Sequence, residues 1–242
     1  MSKKLNRVDD EGILWAIGRA RKLIESRRSA RQLWEGHFEL ATHLYQQDGS
    51  PSEIRENFVH AAEHGLQMFE QRGEPKGDSR TPWDFGLVLG TVLAFGTPEQ
   101  RSRAARVERW KWFHPEKEFY LLLADTLSQV QSFLAGEFDR TAAQRLVERC
   151  TAENADRDSV RYNSPLVEAL LAIDARDVQP LQAALAAMVK EHEHRAMRGP
   201  LQAQADGLVA VIPLGLVRLA RDSGLSCSVE SPYVPLDLLG DG

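Results

Sequence analysis

The sequence has few cysteines and no long apolar run, and these shortages exclude two classes of protein. Cys150 and Cys227 are too few for a disulfide scaffold and too far apart for a zinc knuckle. The longest stretch without a charged residue runs for 14 residues, from Phe85 to Pro98. A membrane-spanning helix needs about 20 apolar residues. We therefore expect neither a disulfide framework nor a membrane-spanning protein.

Enzyme motifs are equally scarce. There is no Gly-x-Ser-x-Gly nucleophile elbow, and neither cysteine has a histidine close by in the sequence. No glycine-rich phosphate loop joins a strand to a helix, because Gly86, Gly90 and Gly96 lie within an apolar helical pattern. These glycines predict close helix packing, and the sequence favours a protein that is not an enzyme.

The composition is that of an ordinary globular protein, with 43% hydrophobic and 27% charged residues. The basic N-terminus is followed by Asp9-Asp10-Glu11, where a signal peptide would have its apolar region. We therefore expect a cytoplasmic protein. We also expect residues 1–242 to form a single all-α domain, with a possible sub-boundary in the loop 71–80.

The net charge of −5 is unevenly distributed. Residues 1–120 hold 19 Lys and Arg against 18 Asp and Glu, whereas residues 121–242 hold 11 against 17. An acidic half repels nucleic acid and anionic membranes but attracts a basic protein. Solvated helix faces give the same excess of acids, so the asymmetry alone does not separate these two interpretations.

Hydroxyl residues followed by proline mark four predicted helix starts. The hydroxyl can accept a hydrogen bond from a first-turn N–H, and proline fits the first helical position because its missing donor would be unpaired there. Ser50 also has Glu53 three residues on, the pattern of a reciprocal capping box. The four dipeptides are Ser50-Pro51, Thr81-Pro82, Thr97-Pro98 and Ser164-Pro165.

Apolar residues recur every three or four positions between these starts, and no sustained two-residue alternation occurs before Leu225. The fold class is therefore all-α. We predict an irregular multi-helix bundle of about ten helices, built from helical hairpins, with a short extended C-terminal tail. The predicted helices are 9–25, 29–47, 51–72, 82–95, 98–112, 116–135, 139–153, 165–175, 178–197 and 203–222.

Two histidine-containing segments suggest metal binding at first inspection. His60 and His64 are four residues apart, which places both imidazoles on one helix face. No third potential ligand lies at a sequence spacing typical of zinc sites, so a surface or core-edge pair is favoured, and a His-dependent metal hydrolase is a minor alternative. His192 and His194 are two residues apart on a predicted helix, so they point away from each other. We predict no metal site at either segment.

A basic segment with interleaved tryptophans resembles a nucleic-acid patch. Arg103, Arg106 and Arg109 share a helix face, beside Trp110 and Trp112. The protein as a whole is acidic, however, and acidic residues also occur within this segment. A salt-bridged helix with buried tryptophans is therefore favoured, and no nucleic-acid partner is expected.

The C-terminal third carries the most informative pattern. A helix capped by Ser164 leads into a second helix that ends near Gly199, and Asp206–Val217 is apolar on nearly every side. We expect this last segment to be a central helix, kinked at Pro213. Gly224 is the predicted helix stop, and Tyr233 is expected to anchor the tail.

These residues resemble the immunity protein 49 family of bacterial polymorphic toxin systems. The matching motifs cover about 76 residues of the chain, after the Ala- and Leu-rich second helix of the hairpin. They are Asp206-Gly207-Leu208, Leu219-Ala220-Arg221, Gly224-Leu225, Val229-Glu230-Ser231-Pro232-Tyr233-Val234-Pro235 and Leu238-Leu239. The resemblance implies an all-α protein that binds a cognate toxin and blocks it, with no catalysis and no cofactor.

Within this interpretation, the acidic half suggests where the toxin binds. Glu148, Glu153, Asp156 and Asp158 end one predicted helix and fill the loop after it. Exposed acids there could meet a basic, nuclease-like toxin domain. An ordinary acidic loop is the simpler interpretation, and a helical scaffold or adaptor without a toxin partner is the rival function.

Overall fold

A computed structural model of the chain describes residues 5, 8–26, 29–71, 81–114 and 120–240. These residues form ten α-helices and no β-strand, which confirms the predicted fold class. The helices are α1 (Asp10–Ser26), α2 (Ala30–Gln46), α3 (Pro51–Glu70), α4 (Pro82–Phe95), α5 (Pro98–Ala105), α6 (Leu121–Ala135), α7 (Arg140–Cys150), α8 (Ser164–Ala175), α9 (Val178–Arg198) and α10 (Val211–Asp222). Within the described ranges, no helix is both long and apolar enough to span a membrane.

Neighbouring helices pack on one another, and the last helix returns to the first half of the chain. Helix α2 packs against α1 and α3, and α8 packs against α9, as the predicted hairpins require. Helix α10 packs against α4. One continuous apolar core includes residues from Leu5 to Leu239. The loop 72–80, where a sub-boundary was considered, lies outside the described residues.

Helices α4 and α10 approach closely because glycines stand at their contact. A methyl group at position 90 would lie 2.8 Å from Ile212 Cγ1, and one at position 215 would lie 2.9 Å from the Gly90 carbonyl oxygen. Both distances are shorter than van der Waals contact. The predicted packing role is therefore confirmed at Gly90.

Two of the four predicted helix caps form. The Thr81 and Thr97 hydroxyls each accept a hydrogen bond from the backbone N–H three residues on, and both complete a capping box. The helix starts at Ser50-Pro51 and Ser164-Pro165 are confirmed, because α3 begins at Pro51 and α8 at Ser164, but the predicted hydroxyl caps do not form there. The Ser50 hydroxyl pairs with the Ser52 hydroxyl at 2.8 Å and makes no cap. Ser164 already lies inside a helical run, because the π-helix Ser159–Asn163 precedes it.

Two predicted helices are shorter than expected. Helix α5 ends at Ala105 and is followed by a 3-10 turn at Arg109–Lys111. Helix α10 begins at Val211, so Pro213 lies in its first turn and the predicted kink is wrong. Proline is tolerated there because first-turn N–H groups have no partner within the helix.

The C-terminal tail is held against the body of the protein, as predicted for Tyr233. The buried Tyr233 hydroxyl donates to the Leu5 carbonyl at 2.8 Å, and the Tyr233 carbonyl accepts from the Ala210 N–H at 2.8 Å. The Tyr45 hydroxyl donates to the Pro232 carbonyl at 2.7 Å. These bonds connect the C-terminal tail to Leu5, to helix α2 and to the start of α10. Gly224 ends α10 with a φ of 77°, which confirms its predicted role.

Candidate functional site

A sizeable cleft lies between residues of α4, α6, the π-helix and α9. Its volume is about 710 Å³, within the usual size range of a ligand or peptide site. Trp83, Tyr120, Leu123 and Tyr162 give it an aromatic and apolar lining, and Arg195 contributes a charged group. We call it the main cleft.

Arg195 lies in the wall of the main cleft with its guanidinium held on several sides. Its side chain is 8% exposed, and the guanidinium lies 5.5 Å from the Trp83 ring and 5.3 Å from the Tyr162 ring. It donates to Asp158 at 2.7 Å and to Glu191 at 3.3 Å. A buried charge with this many partners is fixed in position. The cleft therefore has a rigid wall.

The π-helix places Tyr162 beside Arg195. Asp156, three residues before the first residue of the π-helix, accepts from the Ser159 N–H at 2.9 Å and from the Ser159 hydroxyl at 2.6 Å. Burial opposes ionisation of Asp156, but these hydrogen bonds outweigh it and lower the pKa of the carboxyl. Because π-helical turns are rare and occur frequently at functional sites, this turn strengthens the cleft as a candidate.

Of the four acidic residues predicted as a contact surface, two line the main cleft and two do not. Asp156 and Asp158 line the cleft and are bonded to Ser159 and Arg195. Glu148 and Glu153 are exposed and do not line it, and neither carboxylate has an ion pair within the described part of the chain. The segment 148–158, which we call the acidic segment, therefore has two exposed carboxylates that lack an ion pair among the described residues.

Two further polar side chains, Asp206 and His192, lie next to Trp83 and the turn Ala205–Gly207. The Trp83 indole N–H donates to Asp206 at 3.4 Å, and burial raises the pKa of the Asp206 carboxyl. His192 contacts the Gly207 carbonyl at 3.1 Å through Nε2, and burial lowers the pKa of His192 to about 4. His192 is therefore neutral at pH 7. Its interaction with Gly207 supports the turn that presents Asp206.

The histidine pair has a third member that the sequence analysis missed. The His37 ring, on α2, lies 4.9 Å from the His60 ring and 5.6 Å from the His64 ring, measured between centroids. The His37 and His64 rings stack with an interplanar angle of 15°. Among the described residues, no group of three or more His, Cys, Asp or Glu side chains is arranged to hold a metal ion. Helical spacing revealed the pair within α3, but no local pattern indicates His37.

The basic segment is largely neutralised by carboxylates from other helices. Arg103 donates to Glu63 at 2.8 Å and to Glu70 at 2.7 Å, and Arg109 donates to Asp125 at 2.7 Å. The predicted ion pairs are confirmed for these two arginines, but the predicted shared helix face is wrong, because α5 ends at Ala105 and Arg109 lies in the 3-10 turn. Trp112 is buried as expected, but Trp110 is 43% exposed. The prediction of two buried tryptophans is therefore wrong for Trp110, which lies in the 3-10 turn.

Trp83, Tyr162 and Arg195 were not selected from the sequence. Trp83 and Tyr162 lie 79 positions apart, and only the packing of α4 on the π-helix brings them to 5.6 Å between ring centroids. Only the pairing of Arg195 with Glu191 had a local signal in the sequence. Glu191 and Arg195 are four residues apart, the spacing of a helical ion pair.

Comparison with known proteins gives one match. The family model described as Immunity protein 49 matches residues 98–238, which is more than half of the chain. The matched range includes the acidic segment, the π-helix and Arg195, and it ends before Leu239. No curated protein and no solved structure matches the chain.

Proposed function

Because the chain belongs to the immunity protein 49 family, we propose that it neutralises a cognate bacterial toxin by binding it as a stoichiometric protein inhibitor. The family match carries this proposal, and the acidic segment with the main cleft is the surface that supports it best. The helical body covers the toxin's active site or holds the toxin in an inactive conformation. This mechanism requires no reaction and no cofactor on the immunity protein.

The toxin that fits the acidic segment is basic and nuclease-like. Glu148 and Glu153 project unpaired carboxylates, and a negative patch increases the association rate with a positively charged protein. A nuclease that binds phosphate backbones carries such a positive surface. The acidic segment would therefore occupy the surface that the toxin uses for nucleic acid.

The main cleft would receive a projecting part of the toxin. Aromatic rings with little conformational freedom, such as Trp83 and Tyr162, are typical anchors of protein interfaces. The ion pairs of Arg195 hold this wall in place before binding, so little ordering cost remains when the complex forms. The cleft contributes tight binding, and the acidic segment contributes fast association.

The test is charge reversal of the two acids that have no internal partner. Glu148→Lys together with Glu153→Lys should lower the association rate for the purified toxin domain by about tenfold or more at low salt. Cells that co-express the toxin and this variant should lose protection. Asp156 and Asp158 are left unchanged in this test, because they also hold Ser159 and Arg195.

The matched control carries the same change of charge on another part of the molecule. Glu11 and Glu25 are exposed on α1, and reversing both should leave protection and the association rate close to wild type. If both double variants behave alike, the acidic segment is not the contact surface. If the wild-type protein fails to co-purify with the product of a neighbouring toxin gene, the scaffold interpretation is favoured instead.

A further inference from the structure

The outer face of helix α1 exposes two large apolar side chains. Leu14 is 64% exposed and Trp15 is 68% exposed, the highest values among the large hydrophobic residues that the structure describes. The Arg19 guanidinium lies 5.6 Å from the centroid of the Trp15 ring and restrains it on this face. Single exposed apolar residues are normal, but tryptophan is among the residues most enriched at the energetic centres of interfaces. The outer face of α1 is therefore a candidate contact surface.

Four exposed residues of α1 lie in one stripe along the helix. Glu11, Trp15, Gly18 and Lys22 are separated by four, three and four positions. This spacing places the contact residues of a coiled coil on one side of each helix. The buried residues of α1, which pack on the body of the protein, lie on the opposite side. We call these four residues the α1 stripe.

The two ends of the α1 stripe carry opposite charges. Glu11 and Lys22 are 11 positions apart, which is roughly 16 Å along a helix. Both are exposed, and neither has an ion pair among the residues that the structure describes, because the ion pairs of α1 use Arg19 and Arg21. A stripe that is negative at one end and positive at the other is complementary to an antiparallel copy of itself.

We propose that the α1 stripe binds a second copy of this chain, with the two α1 helices antiparallel about a two-fold axis. The axis passes between positions 16 and 17. Glu11 of one copy then faces Lys22 of the other, and Trp15 of one copy faces Gly18 of the other. Each contact occurs twice, as the symmetry requires. A parallel pair would instead place Glu11 against Glu11 and Lys22 against Lys22, and these like charges repel.

Gly18 provides the space that this pairing needs. A methyl group at position 18 would meet no atom of neighbouring elements within 4 Å, so packing inside one molecule does not require glycine here. Glycine inside a helix is destabilising relative to alanine. In the antiparallel pair, the Trp15 ring of the other copy lies on Gly18, and a larger side chain there would push the two helices apart.

The proposed dimer is weak and separate from the toxin site. Each copy contributes one helix of 17 residues, so the contact buries less than the about 1,200 Å² at which standard-size interfaces begin. No residue of α1 lines the main cleft, and α1 lies outside the residues 98–238 that match the family. The inference therefore does not depend on the proposed function.

The experiment is sedimentation velocity of the full chain over a series of concentrations. From about 1 μM to about 1 mM, the range in which weak association is observed, the average mass should rise from 27.2 kDa towards twice that value. A protein that stays monomeric over the whole range would overturn the proposal.

Charge exchange tests the antiparallel pairing. Glu11→Lys alone and Lys22→Glu alone each bring like charges together twice, so each should raise the Kd of the dimer by at least about tenfold. The double variant Glu11→Lys with Lys22→Glu restores opposite charges and should dimerise like wild type. Glu99→Lys, an exposed change on α5, is the matched control and should leave the dimer intact. If the double variant associates no better than the single variants, the proposed pairing is wrong.

Gly18→Leu tests the contact with Trp15 and should preserve the fold. Leucine is a better helix former than glycine, so urea unfolding at low protein concentration should show a stability no lower than that of wild type, whereas the dimer should be lost. If Gly18→Leu dimerises like wild type, another surface joins the copies and the inference is wrong. If the wild-type protein dimerises as described but does not bind the toxin, the proposed function fails and this inference stands.

Discussion

The contact between α4 and α10 allows a quantitative prediction, because it depends on glycine at position 215. A methyl group there would lie 2.5 Å from Leu93 Cβ and 2.9 Å from the Gly90 carbonyl oxygen. Ordinary carbon contacts are about 3.5–4.0 Å, so the two helices would have to separate by roughly 1 Å. Because the obstacle includes backbone, no side-chain rotation relieves it. Overpacking of this kind costs about 1–3 kcal/mol.

Helix propensity acts in the opposite direction, and a matched glycine measures that effect separately. Replacing glycine by alanine inside a helix stabilises by up to about 1 kcal/mol. Gly86 is the fifth residue of α4, as Gly215 is of α10. A methyl group at position 86 meets Leu127 at 3.5 Å, an ordinary contact. Gly86→Ala should therefore be neutral or slightly stabilising, whereas Gly215→Ala combines the same gain with the overpacking cost and should be destabilising by up to about 3 kcal/mol.

The assay is urea unfolding of both variants, followed by circular dichroism. The m-value should stay constant, because the surface exposed on unfolding is unchanged. The free energy of unfolding of Gly215→Ala should lie about 1–3 kcal/mol below that of Gly86→Ala, because the gain in helix propensity is common to both variants and cancels. If the two variants are equally stable, the helices are not in the close contact described above, and the packing argument is refuted.

Two further predictions concern stability. Burial lowers the pKa of His192 to about 4 in the folded protein, below the 6.5 of an exposed histidine, so the folded state binds fewer protons between these two pH values. The free energy of unfolding should therefore fall by up to about 3 kcal/mol as pH drops from 6.5 to 4. In urea titrations across that range, His192→Gln should reduce this dependence, and an unchanged pH profile would contradict it. Thr97→Ala should cost about 1 kcal/mol, and Ser50→Ala should cost less because Ser50 makes no cap. Equal losses in thermal unfolding would contradict this difference.

Local sequence patterns predicted the helices well because helix formation depends on near neighbours. The hydroxyl and the N3 side chain at Thr81 and Thr97 are three residues apart, so both capping boxes could be anticipated. The start of α10 could not be anticipated from neighbouring residues. The Ala210 N–H bonds to the Tyr233 carbonyl, and this contact with a residue 23 positions later accompanies the start of the helix at Val211. Pro213 consequently occupies the first turn.

The candidate site depended even more on tertiary structure. The acidic segment was visible as a cluster of charges, but the sequence could not separate Asp156 and Asp158, which hold Ser159 and Arg195, from the unpaired Glu148 and Glu153. That difference arises from the fold of the π-helix against α9. It also decides which of the four acids are free to meet a partner.

The most direct test of the central claim is a titration of toxin activity with the purified protein. The toxin domain is held at a concentration well above the Kd of the complex, and the immunity protein is added in steps. A stoichiometric inhibitor predicts a linear loss of activity that ends at a fixed molar ratio, with no change on longer incubation. Complete loss of activity at a small fraction of the toxin concentration, progressing with time, would instead indicate catalytic inactivation and contradict the account.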